Sequence, residues 1–169
     1  IELSKKKNYR VEATGASISY SFQNQALTVS GSGITLKKYF EFDIAVQSSG
    51  ITTYLDQLTV FFQYSNAAFG TDILTNNKAT FTIPTALGNR ALLAAKVNIN
   101  SNTIQLRVSR NDNLNPYNNP LISSTTQMPI VHVKIEVLDC SSMSQISFVD
   151  VNPIASFPSM SANAFFAPS

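Results

Sequence analysis

The sequence predicts an all-β fold, an antiparallel β-sandwich of about nine strands, jelly-roll-like in plan. Three observations predict it. Apolar residues recur at every second position in short runs, Gly, Asn and Pro punctuate those runs, and no convincing long helix is visible. With 169 residues, 44% of them hydrophobic, the chain can bury a core without a disulfide or metal staple. Charged residues make up 13%, about half the usual ~25%. Asn, Ser and Thr take the polar positions instead.

The elements follow in order. Ala16, Ile18, Tyr20 and Phe22 alternate with serines, and Leu27 and Val29 begin a second short strand closed by Gly31-Ser32-Gly33. Phe40, Phe42, Ile44 and Val46 alternate with Glu41, Asp43 and Ala45, up to the break at Ser48-Ser49-Gly50. Leu58, Val60, Phe62 and Tyr64 come next, with Thr59, Phe61 and Gln63 on the other face. Alternation then stops: Ala67-Ala68-Phe69-Gly70 suits one helical turn, and Asn76-Asn77 a turn. Ala79, Phe81 and Ile83 form a strand that Pro84 ends. Leu93–Ile99 and Ile104–Val108 flank Asn100-Ser101-Asn102 as a hairpin. Asn111–Pro120 is a polar loop with two prolines. Val131, Val133, Ile135 and Val137 alternate with His132, Lys134 and Glu136. Ile146–Val149 and Ala164–Ala167 are the last strands. Two packed sheets wet on their outer sides satisfy this pattern, with a core led by Phe40, Phe42, Ile44, Leu58, Val60, Phe62, Val133 and Ile135.

Charge divides the chain. Lys5, Lys6, Lys7 and Arg10 lie beside Glu2, and setting these five aside leaves eight bases against nine acids. Residues 1–12 therefore read as a solvated tail or linker, and 13–169 as one near-neutral domain. No basic stripe exists to neutralise a phosphate backbone, so nucleic acid is not an expected partner. No apolar stretch approaches the ~20 residues of a membrane span. Cys140 stands alone, so it has no internal disulfide partner. Low charge, uncharged polar loops and many β-branched residues point to an extracellular protein, secreted or at the cell surface.

Signs of catalysis are few. His132, the only histidine, sits between two valines on a strand and points to solvent. There is no G-x-S-x-G elbow, phosphate-binding Gly loop or zinc spacing. Glu41 and Asp43 share a strand face about 7 Å apart, at the lower edge of an inverting glycosidase geometry. Two acids alternating with Phe40, Phe42 and Ile44 are equally what a solvated strand face looks like. The expectation is no enzyme activity and no cofactor. Calcium is the one ion to consider, at the loop of Asp72, Asn76 and Asn77, whose oxygens suit a hard cation. For sugar binding there is no Trp, although Tyr39, Tyr54 and Tyr117 lie near strand ends and loops.

The segment YFEFDIAVQSSG followed by YLDQLTVFFQYSNAAFGTDI resembles the cohesin family. Cohesins follow a V-x-V-x-V strand with G-x-Q-x-x-L-x-Y-D-P-x-V-L. Leu58, Val60, Phe62, Tyr64, Ser65 and Asn66 take the corresponding places, with Asn66-Ala67 where the family has Asp-Pro. FEFDI, FGTDILTNN and SSMSQISFVDV also look like repeats of large surface proteins exported by type IX secretion. The resemblance spans roughly Ala13 to Ala167. It implies a binding or adhesion module within a larger secreted protein, with a protein partner and neighbouring domains in the same polypeptide. The departure at Asn66-Ala67 argues against dockerin as that partner. Carbohydrate-binding modules have a related jelly roll, so a module carrying a polysaccharide-degrading enzyme to a surface glycan is the alternative. Carried over from the cohesin sheet face, the partner surface comprises Thr59, Phe61, Gln63, Gln105, Arg107, His132, Lys134 and Glu136. Phe61 is either its apolar anchor or, if the 111–120 loop covers it, a satellite of the core.

Overall fold

The computed structural model describes residues 7–10, 17–49, 53–87, 90–111, 121–142, 146–149 and 161–166. Eleven strands occur among them: β1 (Lys7–Arg10), β2 (Ser17–Ser30), β3 (Lys37–Ser48), β4 (Thr53–Gln63), β5 (Ala79–Thr82), β6 (Ala91–Asn100), β7 (Thr103–Arg110), β8 (Leu121–Ile122), β9 (Met128–Val137), β10 (Ser147–Phe148) and β11 (Ser161–Phe166). They form an all-β sandwich of two antiparallel sheets. The first has the order β1-β2-β3-β9-β5. The second has the order β10-β4-β7-β6, with β8 and β11 also pairing with β4.

Two strands exceed expectation. Lys7–Arg10 was expected in a solvated tail, yet it forms β1 and pairs with Ser17–Tyr20. The rest of 1–12 lies outside the described residues. Leu121–Ile122 adds β8, which pairs with Thr53 and Tyr54. Conversely, the two short strands expected around Phe22 and Leu27 are one continuous β2. Gln23 pairs with Asp43 and Ala26 with Glu41, so Asn24 and Gln25 together face one residue of β3. This bulge, with Asn24 at φ 51, moves the apolar row from even positions (Ile18, Tyr20, Phe22, all buried) to odd ones (Leu27, Val29), which take the same side as Phe40 but are about half exposed. A phase change of this kind looks like a strand boundary in sequence.

Other elements match their local chemistry. Ser65 caps α1 (Asn66–Phe69) by accepting from the Ala68 N–H at 3.3 Å. Gly70 ends the turn at φ 83 and ψ 176, a conformation that costs only glycine little. β6 and β7 form the expected hairpin, turning through Ser101-Asn102, and the Asn100 side chain accepts from the Asn102 N–H at 3.0 Å.

The eight residues expected to lead the core are all buried. Rings join the sheets edge to face and by stacking. Phe148 of β10 lies 3.9 Å from Phe22 of β2 and nearly parallel to it, Phe22 meets Phe42 at 89°, and Phe42 of β3 meets Phe62 of β4 at 85° and 5.9 Å. Phe62 continues to Phe81, and Phe40 to Phe69 and Tyr64. Phe42 sits where these contacts converge. Phe42→Ala should lower unfolding free energy by about 3–5 kcal/mol, measured by urea denaturation. A loss below about 1 kcal/mol would mean that the sheets do not depend on this ring.

Candidate functional site

The outward row of β3 lies on the face of the first sheet turned away from the core. Phe40, Phe42 and Ile44 are buried, so the two-residue period leaves Tyr39, Glu41 and Asp43 on the opposite side. Their neighbours are set by register. On β9, Glu136 pairs with Tyr39, Lys134 with Glu41 and His132 with Asp43. On β2, Thr28 pairs with Tyr39, and on β5, Thr80 and Thr82 pair with Lys134 and His132.

These side chains are bound to one another across strands. Glu41 accepts from the Thr28 hydroxyl at 2.5 Å and pairs with Lys134 Nζ at 2.9 Å. His132 lies between the two carboxylates, with Nδ1 2.8 Å from Asp43 and Nε2 3.3 Å from Glu41. Asn24, at the bulge, donates to Asp43 at 2.6 Å. Lys134 Nζ also stands 4.4 Å over the Tyr39 ring. Lys37 pairs with Glu136 at 2.9 Å. The Glu41 carboxyl is held below its ordinary range, first by the Thr28 hydrogen bond and then by Lys134, against the opposing effect of burial. Glu136 in turn raises the Lys37 ammonium, by hydrogen bond and by charge.

The face is graded. Lys37, Lys78, Lys134 and Glu136 gather at the end near Ser30 and Val137. Glu41, Asp43 and His132 occupy the middle. Ser19, Ser21, Gln23, Gln47 and Gln127 take the far end, where Ser21 and Gln23 both donate to the Gln127 carbonyl. As a general acid, Glu41 would need a raised pKa, and its surroundings lower it. Both nitrogens of His132 face carboxylates, so neither is directed at a nucleophile. What the arrangement offers chemically is an ordered array of charges and hydrogen-bonding groups.

The structure divides the expected partner surface and corrects it. His132, Lys134 and Glu136 are on β9 of the first sheet, with His132 39% exposed at its side chain. Thr59, Phe61, Gln63, Gln105 and Arg107 are on β4 and β7 of the second sheet. Outward rows of the two sheets face opposite ways, so no single partner face holds all eight. Moreover Thr59, Phe61 and Gln105 are 1%, 0% and 3% exposed, and only Gln63 and Arg107 are partly accessible. Phe61 is a core residue, though it points outward from its sheet. Val149 continues the β10 pairing and donates to the Phe61 carbonyl at 3.0 Å, which sets an apolar neighbour on that face. The loop expected to cover Phe61 lies outside the described residues except for Asn111.

The sequence reading did not assign Asn24, Thr28, Lys37 or Lys78 to the site. Alternation in β3 marks Tyr39, Glu41 and Asp43 as one row, but nothing in the sequence states which strands border them. Of the tyrosines considered for sugar, Tyr39 is on the open face with its ring capped by Lys134, and the side chains of Tyr54 and Tyr117 are outside the described residues. At the loop considered for calcium, Asp72 and Asn77 have φ 50 and 54. The Asp72 carbonyl accepts from the Asn76 N–H at 3.0 Å, and Asn76 Nδ2 donates to the Thr71 carbonyl at 2.8 Å. These bonds account for the turn, which contributes one carboxylate. Among the described residues no three His, Cys, Asp or Glu side chains gather as metal ligands would, and no helix is long and apolar enough to cross a membrane.

No family model, curated protein or solved structure matches this chain.

Two outcomes are expected. Phe61→Ala should cost about 3–5 kcal/mol of stability, as for a buried ring, in the same urea assay. An exposed ring would cost under about 0.5 kcal/mol. Glu41→Gln should destabilise the protein at pH 7 by about 1 kcal/mol or less, since the pairs are partly exposed. A carboxylate whose folded pKa is depressed stabilises above its ordinary range and loses that contribution as pH falls through the folded value. The gap between wild type and Glu41→Gln should therefore close in acid, read as melting temperature against pH. A gap that persisted at pH 2 would show that Glu41 acts through packing.

Proposed function

We propose that the chain is a non-catalytic binding module of a secreted or surface protein, and that it engages a protein partner through the outer face of its five-stranded sheet. The observation that carries this reading is the cross-strand network of Thr28, Glu41, Lys134, His132 and Asp43. It fixes charged groups of both signs on a face broad enough for a partner, and such complementarity sets register and orientation in protein interfaces. Lysine capping the Tyr39 ring disfavours the glycan alternative, since a sugar stacking there would first have to displace Lys134. The low Glu41 pKa and the doubly engaged His132 support a binding role over catalysis. Low overall charge and Asn/Ser/Thr-rich loops support an extracellular setting. As in the cohesin-like reading, the sandwich binds with one sheet face, here placed on the other sheet.

The test presents the purified chain to a displayed peptide library and, in parallel, to a glycan array. Enriched peptides should lose about tenfold or more in affinity to Tyr39→Ala and His132→Ala variants whose melting temperatures stay within a few degrees of wild type. Glycan binding alone, or peptides indifferent to both changes, would contradict the proposal.

A further inference from the structure

We propose that the lysine end of this open face is a pocket for the carboxylate of an acidic protein segment, with Lys78 as its principal cation. The inference rests on the reading above and names the chemistry of the partner. Lys37, Lys78 and Lys134 line, with Tyr39, Thr80 and Glu136, a groove of about 230 Å³. That is roughly eight times the liquid volume of one water, enough for an acidic side chain of a few heavy atoms.

Charge accounting singles out Lys78. Lys37 is paired with Glu136, and Lys134 with Glu41. Lys78 has no carboxylate within ion-pair reach among the described residues. Even with Glu41 counted beside Glu136, three ammonium groups stand against two carboxylates, leaving one positive charge uncompensated among the described residues. Its backbone is also fixed. The Lys78 N–H donates to Ile73 at 2.8 Å, and its carbonyl accepts from Glu136 at 2.8 Å, which extends the β5–β9 ladder by one residue. The backbone is therefore fixed, while the amine itself rests beside Gly70 and Leu138, 3.1 Å from where a Cβ on Gly70 would stand, and turns into the groove by rotation of its own side chain.

The rest of the face decides what kind of anion fits. Beyond Tyr39 lie Glu41 and Asp43, which repel a second acid placed over the middle of the sheet. A partner that presents an acidic residue to the lysine end and neutral or basic residues beyond it matches this gradient. A carboxylated glycan would offer the same anion, but its ring would need the Tyr39 face that Lys134 covers.

The experiment titrates the isotopically labelled full chain with a triglutamate peptide, and separately with trigalacturonate, at low salt, following backbone amide shifts. Triglutamate should move Lys37, Tyr39, Lys78, Thr80 and Lys134. Its affinity should fall about tenfold in Lys78→Ala, recover in Lys78→Arg, and weaken in about 0.5 M salt. Three results would overturn the inference: no titration with triglutamate, shifts confined to the far end near Gln47 and Gln127, or binding of trigalacturonate alone. If triglutamate is silent while library peptides still depend on Tyr39 and His132, the acidic pocket falls and the binding face stands. If both fail, the proposed function falls with it.

Discussion

The contact of Phe42 with Phe62 is the constraint on which the rest of the structure depends. It joins the two sheets at the middle of their inner faces. With Phe42 held inward, the pleat of β3 has no remaining choice. Phe40 and Ile44 must follow it into the core, and Tyr39, Glu41 and Asp43 must face out. The order of the binding face is thus a consequence of core packing on the reverse side of the same strand. A slip of one residue would bury two carboxylates and expose two phenylalanines.

Outside, the same strand organises electrostatics. Glu41 is held by a hydroxyl from β2 and an amine from β9, and His132 bridges the two acids of β3. Each pair taken alone would add little at a partly exposed site. Joined across three strands, they restrict one another's rotamers, so that a partner meets side chains already placed. The second sheet behaves differently. Its outer row is closed over Thr59, Phe61 and Gln105, and the Gln105 Nε2 and Arg107 Nε are buried without a hydrogen-bond partner among the described residues. Closure over β4 leaves the first sheet as the more open side of the sandwich, with Val97 of β6, beside Gln105, still 38% exposed.

Much of this was legible in the sequence, because side-chain period is a local property. The core rows of β3, β4 and β9, the β6–β7 hairpin and the turn at Ala67–Gly70 all follow from neighbours within a few residues. Two kinds of fact were not local. The bulge at Asn24-Gln25 reverses the phase of β2, so one strand reads as two. The pairing of β9 with β3 rather than with β4 or β7 is set by contacts about ninety residues apart, such as that of Asp43 with His132. Hence Glu41 and Asp43 were read as a pair on one strand face and His132 on its own, while the array that unites them was not. Phe61 stayed open between anchor and core for a related reason: alternation tells which side of its sheet a residue takes, but not whether that side is covered, and here it is.

The central claim is that the outer face of the first sheet is open and that of the second closed over β4. Hydroxyl-radical footprinting of the free chain tests it most directly, since labelling follows side-chain exposure. The account predicts rapid oxidation at Tyr39 and His132 and strong protection of Phe61. Oxidation of Phe61 as fast as that of Tyr39 would contradict it, and with it the choice of binding face.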